Sequence, residues 1–141
     1  MNLLFIGAGK MATALASGLV KKNVFPLDNI QACDISAEAC KNFSEKTGLV
    51  CVEDGRKLVS KADVIFLAVK PQSVASLVET LPERKSDVLI ISICAGINIL
   101  KLRQYFGTGR IVRVMPNTPL MVGRGVSCYA LGSESDESAA T

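Results

Sequence analysis

Met1-Asn-Leu-Leu-Phe-Ile-Gly-Ala-Gly-Lys-Met-Ala12 opens the chain, and its reading decides the fold. An apolar run from Leu3 to Ile6 meets glycines at 7 and 9, then Ala12, and a helical pattern starts at once. Strand, tight turn and helix N-terminus in that order form the arrangement that holds a dinucleotide pyrophosphate. Gly7 allows the turn, and Gly9 lets the backbone approach phosphates with no Cβ in the way. Ala12 keeps the helix close to the strand. First-turn N–H groups, which have no partner inside a helix, then point at the anion.

The rest of the chain repeats the alternation. Met11, Leu15 and Leu19, with Ala12 and Ala16 beside them, predict an amphipathic helix. A polar loop from Lys21 to Asn29 leads to a second strand at Asn29 to Asp34. Ser36 caps a helix that turns Cys40 and Phe43 inward and stops at Gly48. A short strand at Leu49 to Val52 and a brief helix from Asp54 to Lys61 follow. Val64 to Val69 and Val88 to Ile93 are almost wholly apolar, as strands of a parallel sheet covered on both faces are. Between them Val74, Leu77, Val78 and Leu81 keep helical spacing. Asn98 caps a helix carrying Ile99, Leu102 and Phe106, closed by Gly107, and strands at Ile111 to Met115 and Gly125 to Leu131 complete the series. The expected fold class is α/β, a doubly wound, mostly parallel Rossmann-type sheet whose binding crevice lies beyond the carboxyl ends of the strands.

Bulk properties exclude several function classes. The 141 residues suit one domain that buries roughly 68–70% of its unfolded surface. The net charge of +3 is spread without a basic stripe, which argues against nucleic acid. No apolar run approaches the ~20 residues of a membrane span, and the N-terminal apolar segment is too short for a signal peptide. The cytoplasm is the expected address. Five cysteines at 33, 40, 51, 94 and 128 form no C-x-x-C pair, so they read as reduced, buried hydrophobes, and no metal site is expected. With no histidine, the chain holds no His-based general base.

Four loops converge on the crevice: Gly7, Ala8, Gly9, Lys10 and Met11, which follow Ile6; the turn after Asp34; Ala68-Val69-Lys70-Pro71-Gln72; and Ala95-Gly96-Ile97. Asp34, at the end of the second strand, is placed to accept from the adenosine ribose hydroxyls, although it lies 27 residues after Gly7. A carboxylate there repels a 2′-phosphate and favours NADH over NADPH. The alternative is an Asx turn leading into the next helix. Pro71 lacks an N–H donor, which leaves neighbouring carbonyls free, and Lys70 reads equally as a solvated lysine. Ala95 and Gly96 suit close approach by a nicotinamide ribose or a plain turn. The loop Arg113-Val-Met-Pro-Asn-Thr-Pro119 is stiffened by its prolines, and Asn117 and Thr118 offer donors and acceptors for a substrate or a cofactor amide.

Together, Phe5-Ile-Gly-Ala-Gly-Lys-Met-Ala12, Ala68-Val-Lys-Pro71, Ala95-Gly-Ile97 and Val114-Met-Pro-Asn-Thr-Pro119 resemble Δ1-pyrroline-5-carboxylate reductase, in that family's order and spacing. The resemblance implies reduction of Δ1-pyrroline-5-carboxylate to L-proline by hydride transfer from NAD(P)H. It implies that Ile6 to Met11 hold the pyrophosphate, that Ala68 to Pro71 and Ala95 to Ile97 line the nicotinamide half, and that Asn117 lies near it. It also favours NADP, where Asp34 favours NAD; Ser36 could donate to a 2′-phosphate, while Asp34-Ile35-Ser36 lacks the arginine of many relatives. Asp54-Gly55 stands where many relatives carry an asparagine near the adenosine.

The expected organisation is a dinucleotide-binding domain at 1–132, followed at 133–141 by a polar tail or the start of a helical C-terminal domain. That family's second domain builds the substrate site and the homo-oligomer, so this chain alone is expected to be mainly monomeric and to turn over poorly. Two rivals remain: a related imine or hydroxyacid reductase, and a stand-alone nucleotide-binding or regulatory module without catalysis.

Overall fold

A computed structural model describes residues 1–116 and 127–131. In chain order it contains β1 (Leu3–Ile6), α1 (Lys10–Lys21), β2 (Ile30–Cys33), α2 (Ala37–Thr47), β3 (Val50–Val52), α3 (Arg56–Val59), β4 (Val64–Leu67), α4 (Val74–Thr80), β5 (Leu89–Ser92), α5 (Ile99–Phe106), β6 (Ile111–Pro116) and β7 (Ser127–Leu131). The strands form one sheet in the order β3-β2-β1-β4-β5-β6-β7. Every neighbouring pair is parallel except β6 and β7, which run antiparallel. The doubly wound, mostly parallel sheet is therefore as expected.

Alternating side chains of the central strands feed two cores. Leu3 and Phe5 of β1 pack with Ala12, Ala16 and Phe43 under α1 and α2. Leu4 and Ile6 pack on the other face with Val59, Val74, Leu102 and Phe106. Strands covered on both faces are almost wholly apolar, which is why Val64–Leu67 and Leu89–Ser92 show no polar alternation; the one polar residue, buried Ser92, has its Oγ accepting from Cys94 N–H at 3.2 Å. Helix α1 reaches the sheet through Ala12, Thr13 and Ala16, whereas Met11, Leu15 and Leu19 are only half-buried. Small residues at the seam let the helix backbone come close, with the larger side chains flanking it.

Boundaries differ in places, for local reasons. Pro26 precedes a 3-10 turn at Leu27–Asn29, inside the segment expected to be a loop, so β2 begins at Ile30. Helix α3 is one turn, shorter than the expected 54–61. Strand β6 runs to Pro116, so the first half of the loop read as Arg113 to Pro119 is strand; Asn117, Thr118 and Pro119 lie outside the described residues. The cap assignments hold. Ser36 Oγ accepts from Ala39 N–H at 3.2 Å, Asn98 Oδ1 accepts from Lys101 N–H at 2.8 Å, and Gly48 and Gly107 end their helices at φ +75° and +65°. Among the described residues, no helix is long and apolar enough to cross a membrane.

Candidate functional site at the carboxyl edge of the sheet

Strands β1 to β5 run the same way, so the loops leaving them share one edge. At its centre is the turn after β1. Gly7 has φ +103°, its N–H donates to Cys33 O at 2.9 Å, and Ala68 N–H donates to Ile6 O at 2.8 Å. A Cβ on Gly7 would lie 2.5 Å from the Ala68 carbonyl oxygen. The turn is thus wedged between the ends of β2 and β4, and only glycine fits it. Gly9 is different. It caps α1 at φ −75° and ψ −170°, an extended backbone open to any residue, and a Cβ there would meet nothing within 4 Å. Its carbonyl accepts from Thr13 N–H at 2.9 Å and Thr13 Oγ1 at 2.8 Å. Among the described residues, nothing requires glycine at position 9. The space above it and the first turn of α1, which has no side-chain cap, form a cradle that suits a phosphate anion.

Asp34 ties this turn to the sheet. Its Oδ2 accepts from Ala8 N–H and its Oδ1 from Ser36 N–H, each at 2.9 Å. Its own N–H donates to Val52 O at 3.1 Å, and its carbonyl accepts from Cys40 Sγ at 3.3 Å. The Asx turn is therefore present, and the carboxylate also clamps the glycine turn from across the sheet. Ser36 is exposed, and its neighbour Ile35 is 94% exposed.

The β3 exit lies alongside. Gly55 packs so closely on Cys33 that a Cβ would overlap its sulfur. Arg56 grips Asp54 with Nε 2.9 Å from Oδ1 and Nη2 2.6 Å from Oδ2. Those hydrogen bonds hold the Asp54 carboxyl down at about 2.

At the β4 exit, the carbonyls expected to be free beside Pro71 are both engaged. Val69 O accepts from Cys94 Sγ at 3.1 Å, and Lys70 O accepts from Ser73 N–H at 2.9 Å. Burial pushes the Cys94 thiol up, keeping it protonated and able to donate. This one thiol joins the exits of β4 and β5. Gly96 sits at φ +73° beside exposed Ala95, while Ile97 is buried and anchors the loop from below. Ile6 and Ala8 are likewise buried, so only their backbones can face the crevice. Arg113, on β6 opposite Ser92, keeps its Nε buried, with no hydrogen-bond partner among the described residues. Among the described residues, no group of three or more His, Cys, Asp or Glu side chains could hold a metal ion.

Sequence reading missed the clamp by Asp34, the Cys94 bridge, the packing of Gly55 on Cys33 and the exposure of Ile35. Only Ile35 left a trace, an apolar residue between two polar ones where a helix is about to start.

A family model described as "NADP oxidoreductase coenzyme F420-dependent" matches residues 2–96. The pyrroline-5-carboxylate reductase of Glycine max is 37% identical over 137 residues, covering 96% of this chain and 50% of that protein. Its namesake from Pseudomonas aeruginosa is 39% identical over 128 residues, covering 89% and 46%. The crystal structure of Plasmodium falciparum pyrroline carboxylate reductase with NADP bound superposes with a TM-score of 0.84 at 33% identity, covering 99% of this chain and 51% of that one. The chain spans about half the length of the curated relatives it matches.

Proposed function

Because this chain belongs to the "NADP oxidoreductase coenzyme F420-dependent" family, we propose that its residues 1–132 are the dinucleotide-binding domain of a reductase converting Δ1-pyrroline-5-carboxylate to L-proline with NAD(P)H. The observation that carries the cofactor half of this reading is Gly9, a glycine that packing among the described residues does not require, at a helix start open to an anion. Backbone N–H groups of Gly9, Lys10 and Met11 receive the pyrophosphate, while those of Gly7 and Ala8 are already engaged by Cys33 O and Asp34 Oδ2 and hold the turn in shape. Ile35 offers an apolar face for the adenine, and Asp34 and Ser36 lie on the ribose side. Ala68 to Pro71 and Ala95 to Ile97 flank the nicotinamide, with Asn117 positioning its amide or the substrate.

The bound nicotinamide supplies a hydride. The imine carbon accepts it and the nitrogen takes a proton, a reaction that needs orientation more than a strong base, and orientation can be worth ~7–11 kcal/mol. What this chain contributes is a fixed platform. The Cys94 bridge to Val69 and the wedge of Gly7 against Ala68 keep three loop exits from moving independently. The free thiols of Cys33, Cys40, Cys51 and Cys94 accord with a cytoplasmic address. The substrate site and the oligomer belong, in this reading, to the other half of a longer protein.

Calorimetric titration with NADH and NADPH tests the cofactor half, and heat-silent titrations with both nucleotides would refute it. A chimera carrying residues 1–131 in place of the matching half of the Glycine max reductase tests the substrate half. It is expected to consume NAD(P)H only when Δ1-pyrroline-5-carboxylate is added. Turnover of hydroxyacids and not of the imine would sink the assignment.

A further inference from the structure

Beyond β2, the sheet edge carries an ion pair to which the cofactor reading gives no task. Asp34 N–H still pairs with Val52 O, so β2 and β3 stay together to their carboxyl ends. Gly55 then closes on Cys33, and the next residue is Arg56. The loop after β3 is thereby pressed against the root of the Asp34–Ser36 turn, on the side away from the glycine turn. The Arg56 side chain is 70% exposed and its guanidinium is held in a fork by Asp54, whose side chain is 60% exposed. So exposed a pair is worth little, and the planar fork that suits a carboxylate suits a phosphate equally.

We propose that Arg56 receives the 2′-phosphate of NADPH, giving up Asp54 to do so, and that it supplies the cation absent from the segment after β2. This rests on the reading of the chain as an NAD(P)H-binding domain. Asp34 does not forbid it. Both oxygens of that carboxylate already accept backbone N–H groups, those of Ala8 and Ser36, beside the positive ends of α1 and α2, where such dipoles offset a negative charge. Ser36 Oγ accepts from Ala39 N–H and keeps its own hydrogen for a phosphate oxygen. Asp54 is then the restraining partner. Its carboxylate competes with the phosphate for the same guanidinium, so removing its charge strengthens NADPH binding.

The test is calorimetry of the whole chain, of Arg56→Ala and of Asp54→Asn, with NADPH, NADH and adenosine 2′,5′-bisphosphate at one pH and salt. Arg56→Ala is expected to weaken NADPH and the bisphosphate by about tenfold or more while leaving NADH within about twofold. Asp54→Asn is expected to tighten NADPH and the bisphosphate and not NADH, a gain that mere damage to the loop would not produce. Equal losses for NADPH and NADH in Arg56→Ala, or no loss, would overturn the assignment, as would a chain that binds NADH alone. Binding of neither nucleotide by the unaltered chain would overturn the cofactor reading and this proposal with it.

Discussion

The two glycines of the first turn separate what the fold needs from what a ligand needs, and exchanging each for alanine makes that separation measurable. At Gly7 an added Cβ would sit 2.5 Å from Ala68 O and 2.7 Å from Ala68 C. Ordinary contact begins near 3.4 Å, so Ala68 would have to retreat by about 0.9 Å. That movement stretches the 2.8 Å bond from Ala68 N–H to Ile6 O out of hydrogen-bonding range, a loss of about 1 kcal/mol. Holding alanine at φ +103° costs a further 1–3 kcal/mol or so. The expected destabilisation is therefore about 2–4 kcal/mol, set against a total of roughly 5–15 kcal/mol for a domain of this kind. The variant should fold with a clearly lower urea midpoint. At Gly9 the same substitution meets open space at an ordinary φ, so stability should stay within about 0.5 kcal/mol of the parent. Binding should reverse the order of surprise: Gly9→Ala places a methyl group where the pyrophosphate is expected and should weaken NADH and NADPH alike, by roughly ten- to a hundredfold. Urea unfolding and calorimetry on both variants give the four numbers needed. If Gly9→Ala binds like the parent, the pyrophosphate does not lie over Gly9 and the cofactor reading loses its chief support. A Gly7→Ala variant as stable as the parent would show that the wedge against Ala68 yields without cost, contrary to the geometry.

Two further substitutions probe the frame of the site. Asp34→Ala strips the partner from Ala8 N–H, on a residue only 2% exposed, and should cost about 1–3 kcal/mol in urea unfolding. It should also weaken NADH and NADPH to a similar degree, whereas a residue that only reads the ribose would lose NADH and gain NADPH. Alkaline titration tests the buried thiols. Burial, with smaller effects from Asp34, Cys40 and Asp54, pushes Cys33 up to about 12 from an ordinary 9.0. The folded state therefore holds a proton that the unfolded chain releases, so this stability is full below about pH 9 and is lost as pH rises through 12. The loss from Cys33 alone should reach about 2 kcal/mol by about pH 10.5, and Cys33→Ala should flatten the slope of stability against pH, whatever it does to the starting level. An unchanged slope would mean that Cys33 ionises in the folded protein as freely as in the unfolded one.

Where local chemistry governs the backbone, the sequence announces the structure. Ser36 and Asn98 carry side-chain oxygens where N–H groups lack partners, and Gly48 and Gly107 stand where the chain turns left-handed. The continuous apolar strands follow from coverage on both faces. What stayed hidden depends on pairs far apart in the chain. Cys94 bonds a carbonyl 25 residues earlier, and Asp34 bonds an N–H 26 residues earlier. Neither partner shows in residue types, because any backbone group could have been the acceptor or the donor. Pro71 illustrates the same limit from the other side. Lack of an N–H on Pro71 is legible, but whether neighbouring carbonyls stay free depends on a thiol arriving from β5 and on the 3-10 turn that Pro71 begins.

The position of Gly7 follows from topology as much as from its own conformation. Chain order runs outward from β1 to β2 and β3 and then returns to place β4 on the other side of β1. Helices α1 and α2 cover one face of the sheet, while α4 and α5 cover the other. Loops leaving β1 and β4 therefore diverge to opposite faces, and a crevice must open between them at the carboxyl edge. In this protein the floor of that crevice is the contact between Gly7 and Ala68. A side chain at position 7 would push the two faces apart, so glycine is demanded there with or without a ligand. No such demand reaches Gly9, two residues further on, beyond the wedge and facing outward from the helix. Composition cannot separate these two glycines, and a motif treats them as one signal. Only the surrounding distances assign one to the fold and leave the other to be explained by what binds.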